Sequence, residues 1–115
     1  MKTIKGELFE IRLEDDNCTV VFKGALRLSG MEDYASILDL LKSTLARPVK
    51  PIVLDLRELD FLNSSGITMF SRFVIDARDQ EGISLQFLAS EAIHWHARSL
   101  KNLQRLMPAL IIQLN

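Results

Sequence analysis

The chain alternates between two hydrophobic periods. From Leu8 to Leu13 the apolar Phe9, Ile11 and Leu13 interleave with Glu10 and Arg12, the two-residue period of a strand. Asp15-Asp16-Asn17 is a turn signal, and Cys18 to Lys23 resumes the strand pattern, so the first two predicted strands form a hairpin. Gly24 interrupts the pattern. Ser29 then stands three residues before Glu32, the spacing of a capping box, and Tyr34, Ile37, Leu38, Leu41 and Leu45 share one helical face. Pro48 is expected to close that helix.

Ile52 to Leu56 reads as a short aliphatic strand. A helix is predicted from about Ser65 to Gln80, with Ile67, Phe70, Val74 and Ala77 on one face and Gly82 as its stop. Ile83 to Ala89 is the next strand. Ser90 is expected to cap a third helix bearing Ile93, Ala97, Leu100 and Leu103, which Pro108 ends, and Ala109 to Leu114 forms a last strand. The predicted order is β-β-α-β-α-β-α-β, an α/β fold with a mixed, mostly parallel sheet and right-handed crossovers. Strands buried on both faces read as continuous apolar runs, but Ile52, Leu54 and Leu56 alternate with Val53 and Asp55. The helices are therefore expected mainly on one face of the sheet. That is not the pattern of a doubly wound nucleotide-binding fold.

Composition narrows the function classes. The length of 115 residues suits one domain, spanning 1–115. The apolar share of 48% and charged share of 25% are those of an ordinary globular protein. A net charge of -1 supplies no field to attract nucleic acid or an anionic membrane. The single cysteine, Cys18, excludes an internal disulfide framework and fits a reducing compartment. Met1-Lys2-Thr3-Ile4-Lys5 lacks the apolar run of a secretory signal, and no apolar stretch reaches the about 20 residues that span a bilayer. The expectation is a cytoplasmic protein with no membrane insertion and no direct nucleic-acid contact.

The candidate chemistry lies in Asn63-Ser64-Ser65-Gly66, where a strand runs into a helix. One reading is purely structural: Asn63 or Ser64 caps the helix. The other reading uses the position, because open α/β sheets place their sites beyond the C-terminal ends of parallel strands. The helix N-terminus favours an anion there, and a phosphoryl group on serine would be tolerated. Asn63 or Ser64 suffices as a cap, which leaves Ser65 without an obvious structural duty. Gly66 removes a side chain beside the hydroxyls, opening an approach for another protein. Met69 and Phe73 lie off the main apolar stripe of the same helix and are either part of a wide buried face or a docking patch beside the turn. Trp95 falls opposite Ile93, Ala97 and Leu100, so it either packs on a loop or marks an interface.

Catalytic readings fare poorly. His94-Trp95-His96 places two imidazoles on different sides of a helix with no third ligand at suitable spacing, so no metal site is expected. A serine hydrolase built on Ser65 with His94 or His96 lacks the Gly-x-Ser-x-Gly elbow and a paired acid. A phosphate-binding loop is absent, since no lysine follows the serines. No cofactor and no enzymatic activity are expected.

The segment IVLDLRELDFLNSSGITMF resembles the signature of the STAS domain (sulphate transporter and anti-sigma factor antagonist), in which an aliphatic strand leads to Asp-Ser-Ser-Gly, or a variant, opening a helix. FKGALRL, Phe22 to Leu28, stands where that family has a second-strand Gly-x-Leu-Asp motif, and the likeness in element order covers nearly the whole chain. The resemblance implies a regulatory protein that performs no catalysis. Its serine before the glycine, here Ser65 with Ser64 as second choice, would be phosphorylated by an anti-sigma-factor-like serine kinase and reset by a serine phosphatase. Asn63, Ser64, Ser65, Gly66, Arg27, Met69 and Phe73 would then contact the partner. Two residues depart from the family: Asn63 replaces an acidic residue, and Arg27 stands where an Asp is usual. These changes point to a specialised partner, or to a non-phosphorylated accessory subunit docking on a transporter or another signalling complex. Many relatives continue into another helix after the last strand, so the sheet or third helix is also expected to be open to a partner or to a second copy.

Overall fold

A computed structural model describes residues 2–16, 18–46 and 51–115 of the chain. Its elements run β1 (Lys2–Lys5), β2 (Phe9–Leu13), β3 (Thr19–Leu26), α1 (Gly30–Leu45), β4 (Ile52–Leu62), α2 (Ser64–Asp79), β5 (Leu85–Ala89), α3 (His94–Leu106) and β6 (Ile111–Leu114). The strands form one sheet in sequential order, β1 to β6. β1, β2 and β3 pair antiparallel, and β3 through β6 pair parallel. Three successive right-handed crossovers that each advance one strand in the same direction must leave their helices on the same side.

That layering is visible in the alternation of burial. Val20 and Phe22 on β3, Ile52, Leu54 and Leu56 on β4, and Leu85, Phe87 and Ala89 on β5 are all buried. Their neighbours Val21, Lys23, Val53, Asp55, Gln86 and Leu88 are half-buried, as expected of a face that no helix covers. Polar pairs dress that face: Arg57 bonds Asp55 at 2.8 Å and Gln86 bonds Gln113 at 2.8 Å. On the helix side Phe22, Phe70 and Phe87 form a chain of tilted rings, with centroids 5.3 and 6.2 Å apart, joining β3, α2 and β5.

The predicted order lacks one strand. β1 is four residues long with three exposed, so it shows too few alternations to be read as a strand. It exists because Ile4 packs on the core and its backbone pairs with β2. β4 reaches Leu62, well past the expected end at Leu56. Its register with β3 shifts between Val21 and Lys23 and again between Gly24 and Ala25. These bulges put Leu56 and Leu59, three residues apart, both on the buried side and so erase the two-residue period. Gly24 does not break the strand. It sits inside β3 at φ 93°, where any side chain would collide with the Leu8 carbonyl just before β2.

Local signals met mixed outcomes. Ser29 does precede α1, but its side chain makes no capping bond; instead Asp33 accepts from the Ser29 backbone N–H at 3.3 Å. Ser90 closes a turn by accepting from the Ala92 N–H at 3.2 Å, and α3 starts only at His94. On α3 the buried position is His96, and Ala97 is exposed. Asp16 accepts from the backbone of Cys18 and from the backbone and hydroxyl of Thr19, with the Cys18 N–H the main cause that holds its pKa at about 2. Asn17 and Pro48, read above as a turn residue and a helix stop, lie outside the described residues. Among the described residues no helix is long and apolar enough to cross a membrane.

Candidate functional site

Asn63 is the hub of the strand-to-helix turn. Its Oδ1 accepts from the Gly66 N–H at 2.9 Å, which caps α2, and from the Tyr34 hydroxyl at 2.8 Å. Its Nδ2 donates to the Leu28 carbonyl at 2.7 Å, and its backbone N–H donates to the Leu26 carbonyl at 3.2 Å. Burial raises the Tyr34 pKa, so the phenol stays protonated and donates. One amide side chain thus joins α2, α1 and the loop after β3. An aspartate at this position could cap the helix but could not donate to the Leu28 carbonyl as the amide does.

The two serines differ. Ser64 is exposed, and no hydrogen bond to its hydroxyl occurs among the described residues; its carbonyl accepts from the Thr68 hydroxyl at 3.1 Å. Ser65 is half-buried, and its Oγ accepts from the Gly30 N–H at the start of α1, at 3.3 Å. The expectation that Ser65 has no structural duty is therefore corrected: its hydroxyl meets the N-terminus of a second helix, although at a long distance. The first turn of α2 carries no acidic residue, so the local field there is positive.

Gly66 has a different reason from the one expected. It is buried, and a methyl built on it would overlap the Leu62 side chain and lie 3.0 Å from the Tyr34 hydroxyl. The glycine faces inward and lets α2 settle on β4 and α1. It does not clear an outside approach to the serines.

Met69 and Phe73 are fully buried in the core, so they offer no docking surface. The reading of these two residues as partner contacts is corrected, because α2 packs against both the sheet and its neighbouring helices and needs a wide apolar face. Trp95 is half-buried and donates from its indole N–H to the Asp60 carbonyl at 3.0 Å. His96 is buried with its Nδ1 accepting from the Ser90 N–H at 2.9 Å. Nε2 therefore carries the proton and donates to the Leu59 carbonyl at 3.1 Å. With both ring nitrogens engaged, His96 has no lone pair left for a serine or a metal ion.

Arg27 lies beside the turn. It is exposed, and its guanidinium covers the Phe61 ring at 4.2 Å from the centroid. Phe61 is 38% exposed and Leu8, which precedes β2 and accepts from the Ala25 N–H at 2.9 Å, is 58% exposed. Residues 6–9, Ala25, Arg27 and Leu28 line a shallow cleft of about 360 Å³ at this end of the sheet. Tyr34 and Phe61 were missed as site residues. A phenol on an otherwise apolar helix face was a readable signal, since a buried hydroxyl needs a partner. Phe61 carried no such signal, because only the bulged end of β4 brings it under Arg27.

No protein-family model matches the chain, and no curated protein matches it in sequence. Solved structures do share its fold. A chain of the crystal structure of the diguanylate cyclase SiaD in complex with its activator SiaC, from Pseudomonas aeruginosa, superposes with a TM-score of 0.76 at 17% identity over 100% of both chains. SiaC of the same organism gives 0.75 at 18% identity, again over 100% of both chains. Its apo form gives 0.71 at 16% identity over 98% of this chain and 99% of that one. At these identities the likeness concerns the fold.

Proposed function

We propose that this chain is a regulatory protein-binding module of STAS-like fold, one domain over 1–115, that acts by docking on a partner protein. In this reading the Asn63-Ser64-Ser65-Gly66 turn is the centre of the docking surface, and phosphorylation of Ser65 switches it. The observation that carries the reading is the turn itself: two serine hydroxyls at the C-terminal end of β4, held at a helix N-terminus by a side chain with every polar atom engaged. A fold shared with a protein that activates a diguanylate cyclase adds support for a partner that is an enzyme. The kinase would transfer the γ-phosphoryl of ATP to Ser65 Oγ. The Oγ–P bond forms as the bond to ADP breaks, and the hydroxyl proton passes to the kinase base. A phosphatase would return the serine by hydrolysis. Adding a charge of about -1.5 to -2 at a docking surface weakens association through desolvation and repulsion.

Mass spectrometry of the protein recovered from its native cells is expected to find phosphate on Ser65, with Ser64 as the alternative acceptor. Ser65→Asp is expected to weaken capture of the native partner at least tenfold relative to Ser65→Ala. Phosphate on neither serine, with equal capture by both variants, would sink the switch. The second reading, an accessory or activator subunit that docks without modification, is favoured by the long but direct bond from Gly30 to Ser65, which gives that hydroxyl a structural use. It predicts stable co-purification with one partner whatever residue occupies position 65.

A further inference from the structure

Arg27 has a cation but no anion. Its exposed guanidinium rests on Phe61, and the described ion pairs of the molecule do not include it. The backbone on both sides of Arg27 is fastened to the serine turn. Leu26 accepts from the Asn63 N–H at 3.2 Å, Leu28 from Asn63 Nδ2 at 2.7 Å, and Gly30 donates to Ser65 Oγ at 3.3 Å. Arg27 is three residues from Gly30, which keeps its backbone within about 11 Å of the Gly30–Ser65 contact. Glu7 lines the cleft beside Arg27, whereas Arg27 stands alone as a cation within the two segments that form the turn. Among residues 27–33 and 63–67 it is the one basic side chain, and the acidic ones are Glu32 and Asp33 in the first turn of α1. A dianion on Ser65 meets two helix N-termini, and a side-chain cation would add to that field and offset the carboxylates of Glu32 and Asp33.

We infer that Arg27 is the receptor for a phosphoryl group on Ser65: on modification the guanidinium leaves Phe61, pairs with the phosphate, and uncovers the Phe61 ring. An exposed cation–π contact is weak, whereas a guanidinium matches phosphate oxygens with two parallel hydrogen bonds. The two states of the switch then differ in shape as well as charge. Unmodified, the surface presents a cation over an aromatic ring; modified, it presents a partly neutralised phosphate and a bare aromatic ring. Aspartate at the position of Arg27 would do the opposite and repel the phosphate.

This inference rests on the reading of Ser65 as the modified residue, and its test avoids the kinase. The full chain is made with phosphoserine encoded at position 65, and the phosphate is titrated by 31P NMR with Arg27 present and in Arg27→Gln. The second phosphate pKa is expected to be lower with Arg27 present by at least about half a unit, a threefold change in proton affinity. Arg27→Lys is expected to keep only part of that shift. Proton contacts between Arg27 and the Phe61 ring, present in the unmodified chain, are expected to disappear with phosphoserine at 65 and to persist with phosphoserine at 64. Equal pKa values in the wild-type and Arg27→Gln chains, or retained Arg27–Phe61 contacts with phosphate on Ser65, would overturn the assignment. Failure here removes Arg27 as the reader and leaves phosphorylation of Ser65 to the native-cell measurement. Failure there removes the switch and leaves this titration unchanged.

Discussion

Asn63 and Gly66 show how much a single side chain, or its absence, decides in this turn. Asn63→Ala removes the α2 cap, the acceptor of the Tyr34 hydroxyl proton and the donor to the Leu28 carbonyl. It is expected to cost about 2–3 kcal/mol in denaturant unfolding. Tyr34→Phe leaves the Gly66 bond to Asn63 intact and is expected to cost only about 0.5–1.5 kcal/mol. A double-mutant cycle on the two should show coupling; strictly additive losses would refute a shared network. Gly66→Ala poses a contest of effects. In a free helix alanine gains up to about 1 kcal/mol over glycine. Here the methyl overlaps Leu62, and overpacking of about 1–3 kcal/mol should win. The destabilisation is expected to shrink in the Gly66→Ala, Leu62→Ala double variant relative to Leu62→Ala alone. The role of Asn63 as a cap was legible from its place before a predicted helix. Its bonds to Tyr34 and Leu28 were not, because those partners lie 29 and 35 residues away.

The join between α3 and β4 turns on His96. Burial lowers the pKa of His96 from its ordinary value of 6.5, more strongly than the Leu59 carbonyl and Asp60 raise it. The folded state therefore resists the proton while the unfolded chain accepts it. Stability should be fully present above about pH 6.5 and decline as pH falls below that value, flattening once the folded histidine also titrates. Urea unfolding of the wild type and His96→Gln between pH 5 and 8 checks this, since the variant should lose that part of the pH slope. An identical slope in both would exclude His96 as its source. The sequence pattern placed Ala97, not His96, on the buried face of this helix. An imidazole enters a core only when both nitrogens are served, and its partners, Ser90 and Leu59, lie on two other segments. Helical periodicity cannot see them.

Across the whole molecule, the one-sided stacking of helices sets where substitutions hurt. Leu54 faces the helices and is fully buried, so Leu54→Ala is expected to lower stability by about 2–5 kcal/mol. Val53, its neighbour on the half-buried face, should tolerate Val53→Thr at under about 1 kcal/mol. Chemical denaturation of both variants measures the asymmetry, and equal losses would mean that both sheet faces are packed. The element order from β2 onward and the one-faced helix layer were readable because each rests on local periodicity and on the handedness of crossovers, whereas β1 was too short to show a period. What the chain determines alone is thus the alternation of strands and helices from β2 onward, the buried side of the central strands, and the placing of Asn63-Ser64-Ser65-Gly66 at a strand-to-helix junction. Only the tertiary structure decided that Met69 and Phe73 are core, that Gly66 faces inward, that Ser65 meets the start of α1, and that Arg27 lies on Phe61. Those outcomes depend on which segments, far apart in sequence, come to share the same few ångströms, and no period along the chain encodes that.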